Sequence, residues 1–320
     1  RVNIGLDGDS PYAWTKSIGS QIQGLARVFE KVKPDIVLVT GDRAEMFAAC
    51  LTAAYMGIAV AHIQAGDVSG HIDGSARHAI TKLSHIHLAS CRDSAQRVRR
   101  MGEEPWRIFD VGAPQLDEII KAKKISKNKL GEIFKVDFNK PIAVVIQHPI
   151  LVEVDQAYKQ MKETMKALEK LKIQAVIIYP NIDAGGKKII KAIKEYKKLP
   201  FIKAYENVKR EHFINLLRES SILIGNSSCG ILEAPSFKLP VINIGNRQRG
   251  RMQAYNVINV GYDYKKIKKA VETALNNKKF KSKLKNCRNP YGDGCSSLRI
   301  KKILESIPLG VKLLDKKITY

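Results

Sequence analysis

Short, continuous apolar runs alternate along this chain with longer stretches whose apolar residues recur at helical spacing. The runs at 36–39, 58–63, 85–89 and 108–111 predict four strands in the first part of the chain. Those at 142–147, 175–179, 222–224, 241–244 and 257–260 predict five more in the second, with a short one near 202–205. A run that is apolar at every position suits a strand buried on both faces. Helical spacing falls between them, at 11–33, 44–56, 75–84, 93–101, 155–171, 186–196, 211–219, 231–237, 264–275 and 296–306. Strand–helix alternation with short, glycine-containing loops predicts parallel sheets covered by helices. The Lys-rich segment 121–140 is weakly patterned and interrupts the alternation. It divides an N-terminal Rossmann-like domain (1–120) from a C-terminal one (141–295), followed by a helix and tail at 296–320.

Function in such sheets collects at the carboxyl ends of the strands. The run 222–224 empties into Gly225-Asn226-Ser227-Ser228, and the next strand ends at Gly245 before Arg247, Arg249 and Arg251. Hydroxyls, helix N–H groups and guanidinium forks converging there would suit a phosphate, or they form a capped helix beside a solvated basic loop. Asp42-Arg43 offers an acid or base beside a phosphate clamp, or a helix cap with a surface ion pair. The long loop 64–74 carries Asp67 and Asp73 and leads into Arg77, His78 and Lys82. Carboxylates beside cations suit proton transfer near an anionic leaving group, although Asp73 also reads as the N-cap of a helix starting near Ser75. His148-Pro149 and Tyr179-Pro180-Asn181 mark two further strand ends. Glu233 could accept from vicinal ribose hydroxyls or merely complement a helix dipole.

Composition narrows the classes. The 320 residues are 44% hydrophobic and 27% charged, as in globular proteins, and no apolar run approaches the roughly 20 residues of a membrane span. Five cysteines are scattered without close pairing, which fits a reducing cytoplasm and argues against a disulfide framework. Lys and Arg number 55 against 31 Asp and Glu, a formal net charge of +24. The Lys excess lacks interleaved aromatic platforms, so it reads as a solvated surface rather than a nucleic-acid site. His62, His78, His85 and His87 form no metal-ligand spacing, and no metal or cofactor is expected. GxGxxG, GxxxxGK[ST] and GxSxG motifs are absent from the sequence, which removes support from dehydrogenase, P-loop and hydrolase-elbow readings.

Taken together, Gly41-Asp42-Arg43, the stretches 62–70, 72–73 and 77–85, His148-Pro149, Tyr179-Pro180-Asn181-x-Asp183, Gly225–Gly230, Glu233 and Gly245-x-Arg247-Gln248-x-Gly250-Arg251 closely resemble the hydrolysing UDP-N-acetylglucosamine 2-epimerases. The resemblance runs from near Asp35 to Asp293. It implies a glycosyltransferase-B-like α/β fold, two Rossmann-like doubly wound domains facing a central cleft. It also implies conversion of UDP-N-acetylglucosamine and water to N-acetylmannosamine and UDP, through a 2-acetamidoglucal. Arg43, His148, Ser227, Ser228 and Arg247 would hold the phosphates, and Asn181 and Glu233 the uridine and its ribose. Asp42 and Asp73 match the family's catalytic acids. Where the family has a carboxylate two residues beyond the strand-end histidine, this chain has Gln64, so either Asp67 takes that role or the substrate differs. The family's opening strand and Gly-Thr-Arg-like turn have no match, and roughly one βα unit is expected upstream of Arg1.

The same reaction on a diacetamido-trideoxy UDP-sugar is the nearest alternative. Further off lie a truncated or inactive UDP-binding homologue, a glycosyltransferase and a nucleic-acid-binding protein. The partners expected are a UDP-sugar, no nucleic acid, no membrane, and further copies of the chain in a dimer or tetramer. If the assignment holds, Arg247→Ala raises KM through lost phosphate contacts, whereas Asp73→Asn chiefly lowers kcat. Steady-state kinetics of the two variants separate binding from chemistry.

Overall fold

The computed structural model describes residues 11–68, 71–180 and 185–319. It forms two compact units, one of Arg1–Pro114 with Tyr291–Tyr320, the other of Gln115–Pro290. The first unit holds a four-stranded parallel sheet in sequential order: β1 (Ile36–Thr40), β2 (Ala59–Ile63), β3 (Ile86–Ala89) and β4 (Ile108–Asp110). Sequential order with right-handed crossovers sends the intervening helices to one face. There Val39 and Val60 pack with Cys50 and Ala53 of helix Ala44–Tyr55 and Ile80 of helix His71–Leu83. The opposite face needs another cover. Helix Ser296–Ser306 supplies it, placing Ile300, Ile303 and Leu304 against Ala61, Ile63 and Leu88. The segment expected to be a C-terminal appendage therefore completes the first unit.

The C-terminal stretch is fastened by two cations, one buried and one half-buried. Arg107, 1% exposed, donates to the carbonyls of Lys312 (3.1 Å), Leu313 (2.6 Å) and Asp315 (3.0 Å). These are the orphan acceptors at the end of the short helix Val311–Leu314. Lys316 donates to the carbonyls of Lys82 and Ser84, each at 2.6 Å, and pairs with Glu103 at 2.8 Å. Lys82 (2.6 Å) and the Nε2 of His87 (2.9 Å) meet the same carboxylate.

The second unit has six parallel strands: β5 (Ile142–Ile146), β6 (Gln174–Ile178), β7 (Ile202–Tyr205), β8 (Ile222–Gly225), β9 (Val241–Ile244) and β10 (Val257–Val260). Their order is β10-β9-β8-β5-β6-β7, so the winding reverses between β5 and β8. Helices Ala157–Leu171, Gly186–Lys194 and Tyr264–Asn276 cover one face, and Lys127–Phe134 and Arg210–Glu219 the other. Segment 121–140, expected as the junction, thus lies inside this unit. Its polar periphery hid Leu130 and Phe134, both buried in the core.

Two helix boundaries differ from the periodicity. The helix expected at 75 begins at His71, carrying the buried Gly74 in its first turn at a cost of about 1 kcal/mol. The helix expected over 231–237 splits into Cys229–Leu232 and a 3₁₀ turn Ala234–Phe237. Pro235 lacks the N–H that a continuous α-helix would use.

Burial works against ionisation of Glu103, but the bonds from His87, Lys316 and Lys82 prevail and hold its pKa at about 2. The stabilisation is complete above the ordinary carboxylate value and is lost as pH falls from there towards 2. Glu103→Gln should destabilise the protein by about 3 kcal/mol at neutral pH by removing the buried carboxylate that Lys82, Lys316 and His87 share. Urea unfolding at a series of pH values should show that deficit shrinking between about pH 4.5 and 2.

Candidate active site

The strand ends of the first unit gather one group of candidates. Asp42 follows β1 and is ion-paired with Arg77, a buried residue of helix His71–Leu83. Arg77 also donates to the carbonyl of Gln64 at 3.0 Å, tying the turn after β2 to the turn after β1. His62 fixes the base of both turns. Its Nε2 donates to the Gly41 carbonyl (2.8 Å), and its Nδ1 meets the Thr81 hydroxyl (3.1 Å). Burial lowers its pKa to about 3, so the ring is neutral and serves as a strut. Arg43, not Asp42, occupies the N-cap position of helix Ala44–Tyr55, and its side chain makes no capping bond. That leaves the capping alternative for Asp42 without support.

Asp67 lies in the turn after β2, 7% exposed. Its Oδ1 accepts from the hydroxyls of Ser90, at the end of β3, and of Ser94 (2.6 Å), in helix Arg92–Arg100. Gln64, with φ of +63°, places its neutral amide oxygen beside Gly41. Lys82 shares a helix with Arg77 but leaves this group for Glu103. Asp73 falls in the first turn of that helix rather than at its N-cap, and its side chain lies outside the described residues. Two further histidines have structural partners: the Nδ1 of His85 accepts from Val60 N (3.0 Å), and His87 donates to Glu103.

The second unit gathers its candidates where the winding reverses, the position at which open α/β sheets bind ligands. Gly225 ends β8 with φ of +134°, and a Cβ there would stand 2.0 Å from the Ile146 carbonyl oxygen of β5. Only glycine permits this approach. The buried Asn226 side chain then spans the gap, accepting from His148 N (2.7 Å) and donating to His148 O (2.9 Å). The Asn226 carbonyl accepts from Arg247 Nη1 (3.1 Å) and Gln248 Nε2 (2.8 Å), both beyond β9. One residue therefore links His148, the serine turn and the basic loop. Ser227 Oγ accepts from the thiol of Cys229 (3.1 Å), which burial pushes up to about 12, and half-buried Ser228 holds the N-cap position of the short helix. Glu233 pairs with Arg210 at 2.9 Å, and Arg210 reaches Glu118 at 3.0 Å. Burial raises the pKa of Glu233 and the guanidinium opposes the rise. Asn181 and Asp183 lie outside the described residues.

Sequence patterns therefore located both groups of strand ends and named Arg77 beside the acidic loop, but assigned no holding role to Ser90, Ser94, Arg210, Asn226 or Gln248. Asn226 sits inside the Gly225–Gly230 motif. Gln248 sits in the motif after Gly245, whereas Ser90, Ser94 and Arg210 carry no local signal, because the candidates they hold lie 23 to 27 residues away along the chain.

Two parallel-sheet α/β units with acidic strand ends in one and a polar, cationic switch point in the other define the glycosyltransferase-B-like class of nucleotide-sugar enzyme. A family profile described as UDP-N-acetylglucosamine 2-epimerase matches residues 1–305, and the chain belongs to that family. A UDP-N,N'-diacetylbacillosamine 2-epimerase (hydrolyzing) of Legionella pneumophila is 40% identical over 319 residues, covering 100% of this chain and 83% of that protein. A UDP-N-acetylglucosamine 2-epimerase of Neisseria meningitidis is 32% identical, covering 83% of this chain and 70% of its own length. In fold, the crystal structure of the Neisseria meningitidis UDP-GlcNAc 2-epimerase bound to UDP-GlcNAc aligns with a TM-score of 0.82 at 22% identity. That alignment covers 95% of this chain and 84% of the other. Among the described residues no helix is long and apolar enough to cross a membrane.

The switch point is testable through its clamp. Asn226→Ala strands both backbone groups of His148 and should cost about 1–3 kcal/mol of stability. It should also weaken UDP binding about tenfold by releasing His148, although the Asn226 carbonyl that holds Arg247 remains. Chemical denaturation and titration calorimetry with UDP check the two effects.

Proposed function

We propose that this enzyme hydrolyses a UDP-2-acetamido sugar with inversion at C2, and that its substrate is a diacetamido-trideoxy sugar of the N,N'-diacetylbacillosamine type. The observation that carries the choice is the 40% identity, over the whole chain, to a hydrolysing enzyme named for that substrate. UDP-N-acetylglucosamine, giving N-acetylmannosamine, is the second reading and is favoured by the family profile.

The chemistry fits the division of polar groups between the units. Breaking the bond between C1 and the diphosphate oxygen leaves its electron pair on UDP and electron deficiency at C1, which acidifies the proton on C2. A carboxylate removes that proton and a C1–C2 double bond forms, giving the glycal. Water then adds its hydroxyl to C1 and a proton to C2 on the opposite face. Proton transfer falls to Asp42, Asp67 and Asp73. Asp42 is held in place for this by its ion pair with Arg77. Buried Asp67 takes the place of the carboxylate that Gln64 lacks.

Departing UDP is received by the second unit. Arg247 there, with Arg43 of the first unit, supplies guanidinium charge, and His148, Ser227 and Ser228 hydrogen-bond donors to the phosphates. Glu233, desolvated yet balanced by Arg210, accepts from the ribose hydroxyls, and Asn181 serves the uridine. We place the enzyme in the cytoplasm, consistent with five free thiols, as a dimer or tetramer in a sialic-acid-like sugar pathway.

An NMR time course with each UDP-sugar, without acceptor, decides among these readings. Free UDP with a 2-epimerised diacetamido sugar, formed at least tenfold faster than N-acetylmannosamine, is the expected result. Faster turnover of UDP-N-acetylglucosamine would move the assignment to the second reading, and no turnover of either would reject hydrolytic epimerisation.

A further inference from the structure

The turn carrying Asp67 is fastened more heavily than a loop needs to be. Gly66 adopts φ of +71° and packs so closely on helix Arg92–Arg100 that a Cβ would stand 2.4 Å from the Ser94 carbonyl oxygen. Arg97, held by Asp93 at 2.7 Å, donates to the Gly66 carbonyl at 2.6 Å. Ser90 and Ser94, 0% and 3% exposed, direct their hydroxyls to Asp67. The thiol of Cys91 lies 3.3 Å from the Ser94 hydroxyl. Burial raises the pKa of that thiol, so Cys91 can donate to Ser94 while Ser94 donates to Asp67.

Both serines bond the same oxygen, Oδ1. A carboxylate accepts through two oxygens with about four lone-pair directions, and here two directions on one oxygen are taken. Among the described residues Oδ2 has no hydrogen-bond partner. Two donors on Oδ1, together with a backbone pinned at Gly66, fix the plane of the carboxylate and the direction of Oδ2.

We propose that Ser90 and Ser94 are positioning residues that aim the Asp67 Oδ2 lone pairs at the sugar. This deepens the reading above and rests on Asp67 acting as a carboxylate of the reaction. A base misaimed by an ångström loses much of its advantage although the substrate still binds. The two hydroxyls should therefore act on turnover and leave substrate affinity nearly unchanged.

The test compares Ser90→Ala, Ser94→Ala, the double variant, Ser94→Thr and Asp67→Asn in the full chain, with near-UV circular dichroism confirming the fold of each. The probe is whichever UDP-sugar the wild type turns over. The double variant should lower kcat about 10–100-fold with KM within about twofold of wild type, each single Ala variant less. Ser94→Thr, which keeps a hydroxyl, should retain most of the rate. An unchanged kcat in the double variant beside an inactive Asp67→Asn would overturn the positioning role while leaving Asp67 in place. So would a loss carried equally by KM. Wild-type turnover by Asp67→Asn would instead remove the reading on which the proposal stands. If the double variant fails to fold, the single variants decide by the same split.

Discussion

Where β5 and β8 part at the reversal of the second sheet, the chain leaving each strand loses the neighbour that would have paired its backbone. The Asn226 amide replaces that neighbour, offering one acceptor and one donor to the N–H and C=O of His148. An unmet buried backbone group costs about 1–3 kcal/mol, so this substitution lets the sheet open without penalty. It also fixes the backbone of His148. The Asn226 carbonyl does the same for the loop beyond β9 by taking Arg247 and Gln248. Three strand ends are thus tied into one polar group.

The first unit solves a different problem. Its strands run in sequential order, so its crossover helices share one face and leave the other bare. Helix Ser296–Ser306 closes that face, and the chain beyond it is strapped by Arg107 and Lys316. The two described acids of this unit are held by unlike partners. Asp42 meets a buried guanidinium, which supplies charge; Asp67 meets two hydroxyls, which supply direction without charge. In the proposed reaction, environments this different would suit the two carboxylates to different steps.

Much of this is legible in the chain alone. The run 142–146 is apolar at every position because both sheet faces are covered there, whereas 36–39, equally apolar, lies at the edge of its sheet with Leu38 48% exposed, so its pattern overstated its burial. The candidates are legible because parallel sheets concentrate function at strand ends, so polar residues directly after an apolar run stand out. The failures have physical causes as well. Lys121–Lys140 looks like a linker because charged residues dominate its surface, although Leu130 and Phe134 anchor it. Lys82 looks like a partner for the acidic loop because helical spacing gives a face but not a neighbour. Asp67 stands out along the chain only as a substitute for the missing carboxylate at Gln64.

By itself, the sequence determined the alternation of strands and helices, the parallel sheets and the polar strand ends. Those features are written in short-range periodicity and in the chemistry of single residues. Tertiary structure decided which unit the last helix joins, which carboxylate meets Arg77 and which meets Ser90 and Ser94, and that Asn226 ties three turns together. Each of these contacts joins residues far apart in the chain. Its energy depends on geometry and exclusion of water that exist only once the sheets are packed.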